Sequence, residues 1–226
     1  MSNTECRVCS FKSPAAEYLS KNELKVLESN CAQINFKKGE VIFREGTLAT
    51  NIAYLRSGLV KIHMKGPASE KILRIMKAPA YLGLPTTFGD KVNNYSATAI
   101  TDSHICFISL NTFREFIFSN GSFAYEIILD LCRNELADYK KYTNMSQKQL
   151  PGRLAEILLC MSKDVYQSSE FELPLNINEL SDFISTSRES VSRLLSEFNK
   201  EGIISINKKE LKIIKEDILE KISQKG

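Results

Sequence analysis

Residues 176–202, NINELSDFISTSRESVSRLLSEFNKEG, decide the reading of this chain. Within them Val191, Leu194, Leu195 and Phe198 recur at i, i+3, i+4 and i+7, the spacing that builds one apolar stripe on a helix. Arg188, Glu189, Ser192 and Arg193 fall off that stripe and project the other way. The whole reads as a helix-turn-helix with a polar second helix. Two guanidinium forks, a carboxylate and a hydroxyl on one short exposed helix match the donor and acceptor edges in the DNA major groove. DNA binding therefore ranks ahead of catalysis as the first expectation.

The rest of the chain sets bounds on that expectation. Its 226 residues allow one large domain or two smaller ones, each with its own core. Hydrophobic content of 43% and charged content of 25% are those of an ordinary globular protein. No apolar run approaches the ~20 residues of a membrane span, and MSNTECRVCSFKS lacks the apolar core of a secretory signal. A cytoplasmic location with no membrane partner is expected. Six cysteines, at 6, 9, 31, 106, 132 and 160, are too sparse for a disulfide scaffold; only Cys6 and Cys9 stand as a CxxC pair. The net charge of +3 is uneven, with +4 in residues 1–146 and −1 in residues 147–226. A half that binds DNA while carrying −1 must rely on local placement of its cations.

Outward from the helix-turn-helix, both flanks show structure. IISI, NKKE and LKII read as a hairpin with a basic tip, a wing, and EDILEKI as a closing helix. Upstream, RLAEILLCMSKDVY is a strongly apolar helix, and Pro151-Gly152 reads as the break between domains 1–146 and 147–226. The segment from about Phe123 to Met145 is a long helix without Pro or Gly. Along it Tyr125, Leu129, Cys132, Leu136, Tyr139 and Thr143 step by four and three, the seam of a two-stranded coiled coil. A homodimer is expected from it, the other reading being a helix laid on its own barrel. Asn111 to Phe118 reads as a shorter helix. From about Asn35 to Ser109, FKKGEVIFREG, IAYLRSGLVKIHM, EKILRIM, ATAIT and HICFISL are β-rich runs punctuated by glycine turns, an antiparallel barrel or jelly roll. Before it SKNELKVLESN is a short helix opened by Ser20, with Glu23 three residues on as a capping box.

These pieces in this order resemble the family of the cyclic-AMP receptor protein and the fumarate-nitrate reductase regulator (CRP/FNR). The resemblance rests on FKKGEVIFREG, SGLVKI, SATAIT, PGRLAEILL and TSRESVSRLL, and it covers nearly the whole chain. It implies an α+β fold: an N-terminal antiparallel double-stranded β-helix (jelly-roll) sensor barrel, a long central dimerisation helix and a C-terminal winged helix-turn-helix. It also implies a dimeric transcription regulator that works with RNA polymerase. Arg188, Glu189 and Arg193 match the arginine, glutamate and arginine that read bases in the cyclic-AMP receptor, and Ser192 matches a serine of the fumarate-nitrate regulator. An arginine fork pairs with guanine and a glutamate accepts from cytosine, so a two-fold site with GA-containing half-sites is expected. Thr186 and Ser187 at the helix entry, and Lys208 and Lys209 on the wing, complete the DNA-binding set. Other roles stay open: Glu189 as partner of Thr186 in a T-x-x-E capping box, Arg193 as a phosphate clamp, Arg188 as a solvated side chain, the two lysines as a solvated tip. Where the family's turn between the helices usually has glycine, this chain has Ser185, which implies a small strain.

The effector is expected to be something other than cyclic AMP. The resemblance implies that binders of that nucleotide hold its ribose with a glutamate and its phosphate with an Arg-Ser pair. Here those positions are Leu84, Tyr95 and Ser96, so the charged partner of the phosphate is gone. The adenine-facing positions of the long helix correspond to Asp138 and Tyr139. An apolar pocket around Leu84, Phe88 and Tyr95 holds another ligand or is filled core. Cys6, Cys9 and Cys106 match three of the four cluster ligands of the fumarate-nitrate regulator, but the fourth position is Ala15; four thiolates are the usual set for an iron–sulfur cluster, and Cys31, at a different place, joins them only if a flexible N-terminus brings it in. Reduced thiols in a tail and on a strand are the favoured reading, and zinc has no second cysteine pair to complete it. His63 and His104 read as packing histidines rather than haem ligands, and they are too few for a metal-dependent barrel enzyme. Without an enzyme motif the chain is expected not to be an enzyme. The alternative function is a sensing module that regulates a protein partner through its winged domain.

Overall fold

The computed structural model describes residues 9, 11–67 and 69–225, in two compact units, residues 1–136 and 137–226. Cys6 lies outside the described residues.

The first unit is built from two antiparallel four-stranded sheets, the jelly roll expected from the glycine-punctuated runs. One sheet has the order β1 (Cys31–Phe36), β8 (Ser103–Ser109), β3 (Asn51–Ser57), β6 (Ala80–Leu82). The other runs β2 (Val41–Phe43), β7 (Ser96–Ala99), β4 (Leu59–Lys65), β5 (Glu70–Lys77). Strand β3 shows why the roll is stable. Because side chains alternate between faces, Ala53 and Leu55 enter the interior with Val60, Ile62, Leu82, Ala97 and Ile105. Ile52 and Tyr54 point to the outer face, where a layer of helices covers them. That layer comprises α1 (Pro14–Glu17), α2 (Lys21–Ser29), α4 (Leu110–Ser119) and the start of α5 (Gly121–Gln147), with α3 (Leu84–Gly89) following β6, and it contributes Leu24, Leu27, Phe113, Phe116, Phe123 and Ile127. Phe113 is fully buried, with edge-on rings of Tyr81 and Phe123 at 5.6 and 5.2 Å between centroids. Each such side chain contributes roughly 1.5–3 kcal/mol by leaving water. The Ser20–Glu23 capping box is formed in both directions.

Gly58, in the SGLVKI turn, has a backbone only glycine tolerates. Its φ is +98°, and a Cβ there would lie 2.6 Å from the Asp102 carbonyl oxygen and 2.3 Å from Ser103 Oγ.

The second unit holds the C-terminal part of α5, α6 (Leu150–Cys160), α7 (Ile177–Phe183), α8 (Arg188–Lys200), the sheet β10 (Ile204–Asn207), β11 (Glu210–Ile213), β9 (Glu170–Glu172), and α9 (Glu216–Lys225). Leu154, Ala155, Leu158, Leu180, Ile184, Val191 and Leu219 form its buried interior. This is a winged helix, with a third strand, β9, that the sequence reading did not foresee. After Cys160 the helix widens into a π-helical turn, Met161–Tyr166, closed by Gln167 at φ +52°.

Two boundaries differ from expectation. Pro151 and Gly152 do not interrupt the chain: both lie in the first turn of α6, where proline's missing N–H has no partner to lose. The two compact units divide at residues 136 and 137, inside α5. Strand β1 begins at Cys31, before the expected start of the barrel, because its polar-apolar mixture gives no run until β8 pairs with it.

Candidate nucleic-acid interface

Helix α7 is fixed at its start by Asn176, whose side chain accepts from the Glu179 amide while the Glu179 carboxylate accepts from the Asn176 amide. At its end, Ile184 is the C-cap and Ser185 sits at φ +54°, the left-handed conformation expected where glycine is missing. That residue turns the chain into α8. The N-cap of α8 is Ser187, whose hydroxyl accepts from the Ser190 amide at 3.2 Å. The T-x-x-E box left open as an alternative role for Thr186 and Glu189 therefore does not form, since Thr186 is one residue too early. Glu189 instead lies in the first turn, its carboxyl held below the usual range by its own backbone amide, the Ser187 hydroxyl and the Arg188 charge. It is ionised at neutral pH and faces solvent.

The apolar stripe falls where its spacing puts it. Val191, Leu194, Leu195 and Phe198 are all buried, whereas Ser187, Arg188, Glu189, Ser192 and Arg193 are exposed and Thr186 is half-buried. Arg193 takes part in no hydrogen bond or ion pair among the described residues. Lys208 and Lys209 form the tip of the β10–β11 hairpin, both exposed, with Lys208 at φ +55°.

One residue that holds this surface in place was not foreseen. Arg153 on α6 donates from Nε to the Lys148 carbonyl at 2.9 Å and from Nη1 to the Ile184 carbonyl at 3.0 Å, bracing the turn between α7 and α8. An isolated arginine one turn into a helix carries no sequence signal for such a role. Asn199 similarly receives the Ile206 amide at 3.0 Å, tying α8 to the wing.

Within the first unit, the expected effector residues fall in two separate clusters. Tyr95 packs on Phe43 at 6.0 Å between ring centroids, against the roll's interior, and the Ser96 hydroxyl accepts from the Glu45 amide. Leu84 and Phe88 belong instead to the cluster under the helical layer, so the three apolar residues do not line one cavity. Asp138 and Tyr139 are exposed residues of α5 in the second unit. His63 is packed, its Nε2 2.8 Å from the Thr98 hydroxyl and its Nδ1 2.7 Å from the Glu70 carboxylate.

Cys9, Cys31 and Cys106 line one small cavity on the outer face of the β1–β8–β3 sheet. Cys106 is buried; its thiol is drawn below the usual range by a hydrogen bond with the Cys31 thiol, against the effect of burial and with help from Arg56. Of the cysteines that the resemblance assigns to a cluster, Cys9 and Cys106 are among the described residues. Position 15 is an alanine, 2% exposed, and among the described residues no three His, Cys, Asp or Glu side chains are gathered as a metal requires.

A jelly roll and a winged helix whose second helix offers arginine, glutamate and serine to solvent define a class of protein: the DNA-binding regulator with an attached sensor domain. Comparison with known proteins gives the same answer. The cyclic nucleotide-binding domain family matches residues 33–120, and the Crp-like helix-turn-helix domain family matches residues 152–222. The anaerobic regulatory protein of Bacillus subtilis is 24% identical over 198 residues, 85% of this chain and 83% of that one. A CRP-like cAMP-activated global transcriptional regulator of Mycobacterium tuberculosis is 24% identical over 195 residues, 84% and 87% of the two chains. Among solved structures, FixK2 from Bradyrhizobium japonicum superimposes with a TM-score of 0.77 at 17% identity, covering 85% of this chain and 96% of its own. The chain belongs to the CRP/FNR family of transcription regulators.

Proposed function

We propose that two copies of the chain bind one two-fold DNA site with GA-containing half-sites, in the cytoplasm, and regulate transcription through RNA polymerase. The observation that carries this reading is the division of α8 into a buried apolar face and an exposed Arg188, Glu189, Ser192, Arg193 face. Arg188 and Arg193 pair with guanine edges, ionised Glu189 accepts from a cytosine amino group, and Lys208 and Lys209 hold phosphate without reading sequence. Regulation rather than catalysis is the chain's work.

Pairing of copies is supported by α5. Tyr125, Ile128, Leu136, Tyr139 and Tyr142 are 60, 53, 66, 59 and 77% exposed, and their spacing puts them within one stripe of the helix. The expected seam named Leu129 and Thr143 where Ile128 and Tyr142 are the more apolar exposed members; Leu129 is half-buried. A second copy of α5 laid along this stripe covers it and sets two reading helices one turn of duplex apart.

The effector is something other than cyclic AMP, although the mycobacterial relative is described as cAMP-activated. Leu84 is 2% exposed within an apolar cluster, and Tyr95 faces Phe43, so neither position offers a charged partner to a ribose or a phosphate. Asp138 adds an acidic group at a position the resemblance assigns to the adenine.

The test begins with selection of binding sites from random duplexes, followed by titration of variants by fluorescence anisotropy. Arg193→Ala costs roughly 1–3 kcal/mol at the selected site and relaxes the base opposite it. Lys209→Ala weakens every duplex alike and lowers the salt slope by about 1. Equal losses for both variants on all sequences refute direct readout. Failure to select any duplex, with a protein partner captured instead, favours the sensing module that acts on protein.

A further inference from the structure

The outer face of the first sheet carries a chemical site that DNA reading leaves unused. Cys106 on β8 lies opposite Gln33 on β1 and Tyr54 on β3, and Cys31 opens β1 two residues from Gln33 on the same face. Both thiols line the same small cavity on that face. Arg56 stands beside them, only 7% exposed. Its Nη1 donates to Gln33 Oε1 at 2.9 Å and its guanidinium lies 5.8 Å from the Phe11 ring centroid. Its Nε–H has no acceptor, and no carboxylate pairs with it among the described residues. A buried guanidinium without a carboxylate is costly unless an anion forms next to it, and here the groups able to become anions are thiols.

We propose that Cys31 and Cys106 are a redox dithiol, converted to a disulfide by a small hydroperoxide and restored by cellular thiols. The cavity they line with Cys9, Tyr54, Arg56 and Tyr81 measures about 50 Å³. A water requires roughly 10–15 Å³ of such space, so hydrogen peroxide fits and an aromatic hydroperoxide does not. The Cys106 thiolate attacks one peroxide oxygen; the O–O bond breaks, and hydroxide leaves and takes up a proton as water. Cys106 is then a sulfenic acid. The Cys31 sulfur attacks the Cys106 sulfur, the S–O bond breaks, and a second water departs with the Cys31 proton. Two thiols have lost two electrons and one peroxide has become two waters. A diagonal pair on neighbouring strands has Cα atoms roughly 7–8 Å apart, just beyond the usual span of a disulfide. Closure therefore draws in the first residue of β1, an edge strand, together with the end of α2 that precedes it.

The test uses the full chain, reduced and freed of metal with a chelator, then exposed to one equivalent of hydrogen peroxide, alkylated and mapped by mass spectrometry. Two alkylatable thiols disappear and a Cys31–Cys106 linked peptide appears. Cys31→Ser halts the reaction at the Cys106 sulfenic acid, which dimedone traps, and cumene hydroperoxide reacts at least about tenfold more slowly than hydrogen peroxide. Arg56→Lys, which keeps the charge but shortens the reach to the thiols, slows oxidation by about tenfold. The proposal is overturned if Cys31 and Cys106 stay alkylatable under excess peroxide, or if Cys106 links to Cys6 or Cys9 instead. It is also overturned if iron and sulfide under anaerobic conditions give a visible chromophore that protects both thiols, which would make them cluster ligands.

Discussion

Replacing Ser185 by glycine stabilises the winged unit. Ser185 holds φ at +54° in the turn between α7 and α8, and its side chain is exposed. An L-residue in that conformation costs roughly 1–2 kcal/mol, because its Cβ crowds the following carbonyl. Glycine removes that cost but adds about 0.5–1 kcal/mol of entropy to the unfolded chain. The difference favours Ser185→Gly by roughly 0.5–1 kcal/mol. The backbone bonds that define the turn, Ser185 N–H to the Asp182 carbonyl at 3.3 Å and Thr186 N–H to the Ser181 carbonyl at 3.0 Å, are untouched. For a unit the size of residues 137–226, that gain raises Tm by about 2–8 °C. Calorimetry of the full chain reads the shift, with two controls. Ser185→Ala keeps the Cβ and stays within about 0.5 kcal/mol of wild type, whereas Ser185→Val adds β-branching at positive φ and loses roughly 1–3 kcal/mol. DNA affinity of the glycine variant changes less than about twofold, since the turn keeps its shape. A glycine variant that melts at or below the wild-type temperature refutes the assignment of strain to this turn.

Gly58→Ala brings its Cβ against the Asp102 carbonyl and forces a glycine-only φ, so the jelly roll loses about 2–4 kcal/mol; urea unfolding followed by a probe in the first unit measures it, and an unchanged midpoint contradicts the clash. Asp130→Asn raises stability at neutral pH and loses that advantage near pH 4. Burial pushes the Asp130 carboxyl up, with Arg133 and Arg74 opposing and the Asn134 amide hydrogen-bonded to it. The folded state therefore holds the proton more tightly than the unfolded chain, and stability falls as pH rises from the ordinary carboxylate value toward the raised one. Melting curves of both proteins from pH 3.5 to 7.5 test this, and parallel curves would show that burial of the charge costs nothing.

How much of this was legible depended on whether a residue's role is local or set by the partner across the fold. The α8 stripe, the Ser20–Glu23 box and the glycine turns are local patterns, so their spacing alone located them. Pro151-Gly152 was misread as a break because the same pair suits a loop and a first helical turn; the helix that follows decides between them. The triplet Ser185-Thr186-Ser187 offers three hydroxyls at one helix entry, and only the backbone turn at Ser185 determines that the third becomes the cap. β1 has no buried residue and β9 only one, so both are fixed by the strands they pair with rather than by an apolar run of their own. Arg153 and Arg56 act through partners 31 and 23 residues away respectively, at Ile184 and Gln33, and no periodicity records such contacts.

The negative sum of the C-terminal half is reconciled with DNA binding by where its acids are spent. Glu156 pairs with Lys148 at 3.1 Å, Glu216 and Glu220 both hold Lys163, and Glu170 meets Lys212 at 3.1 Å. Glu179 is turned back onto the Asn176 amide as a helix cap. These carboxylates brace α6, α9 and the β9–β11 pair, elements other than the reading helix, and neutralise lysines there. Arg193, Lys208 and Lys209 have no such partner among the described residues, so the field at the α8 and wing surface is more positive than the net charge suggests. Exposed charges separated by more than about 8 Å are largely screened at physiological ionic strength. The phosphate backbone therefore meets the local cations and not the sum over the domain. On the proposed reading, base choice falls to the few polar side chains of α8, with Glu189 repelled by the guanine and thymine edges, which present acceptors but no donor.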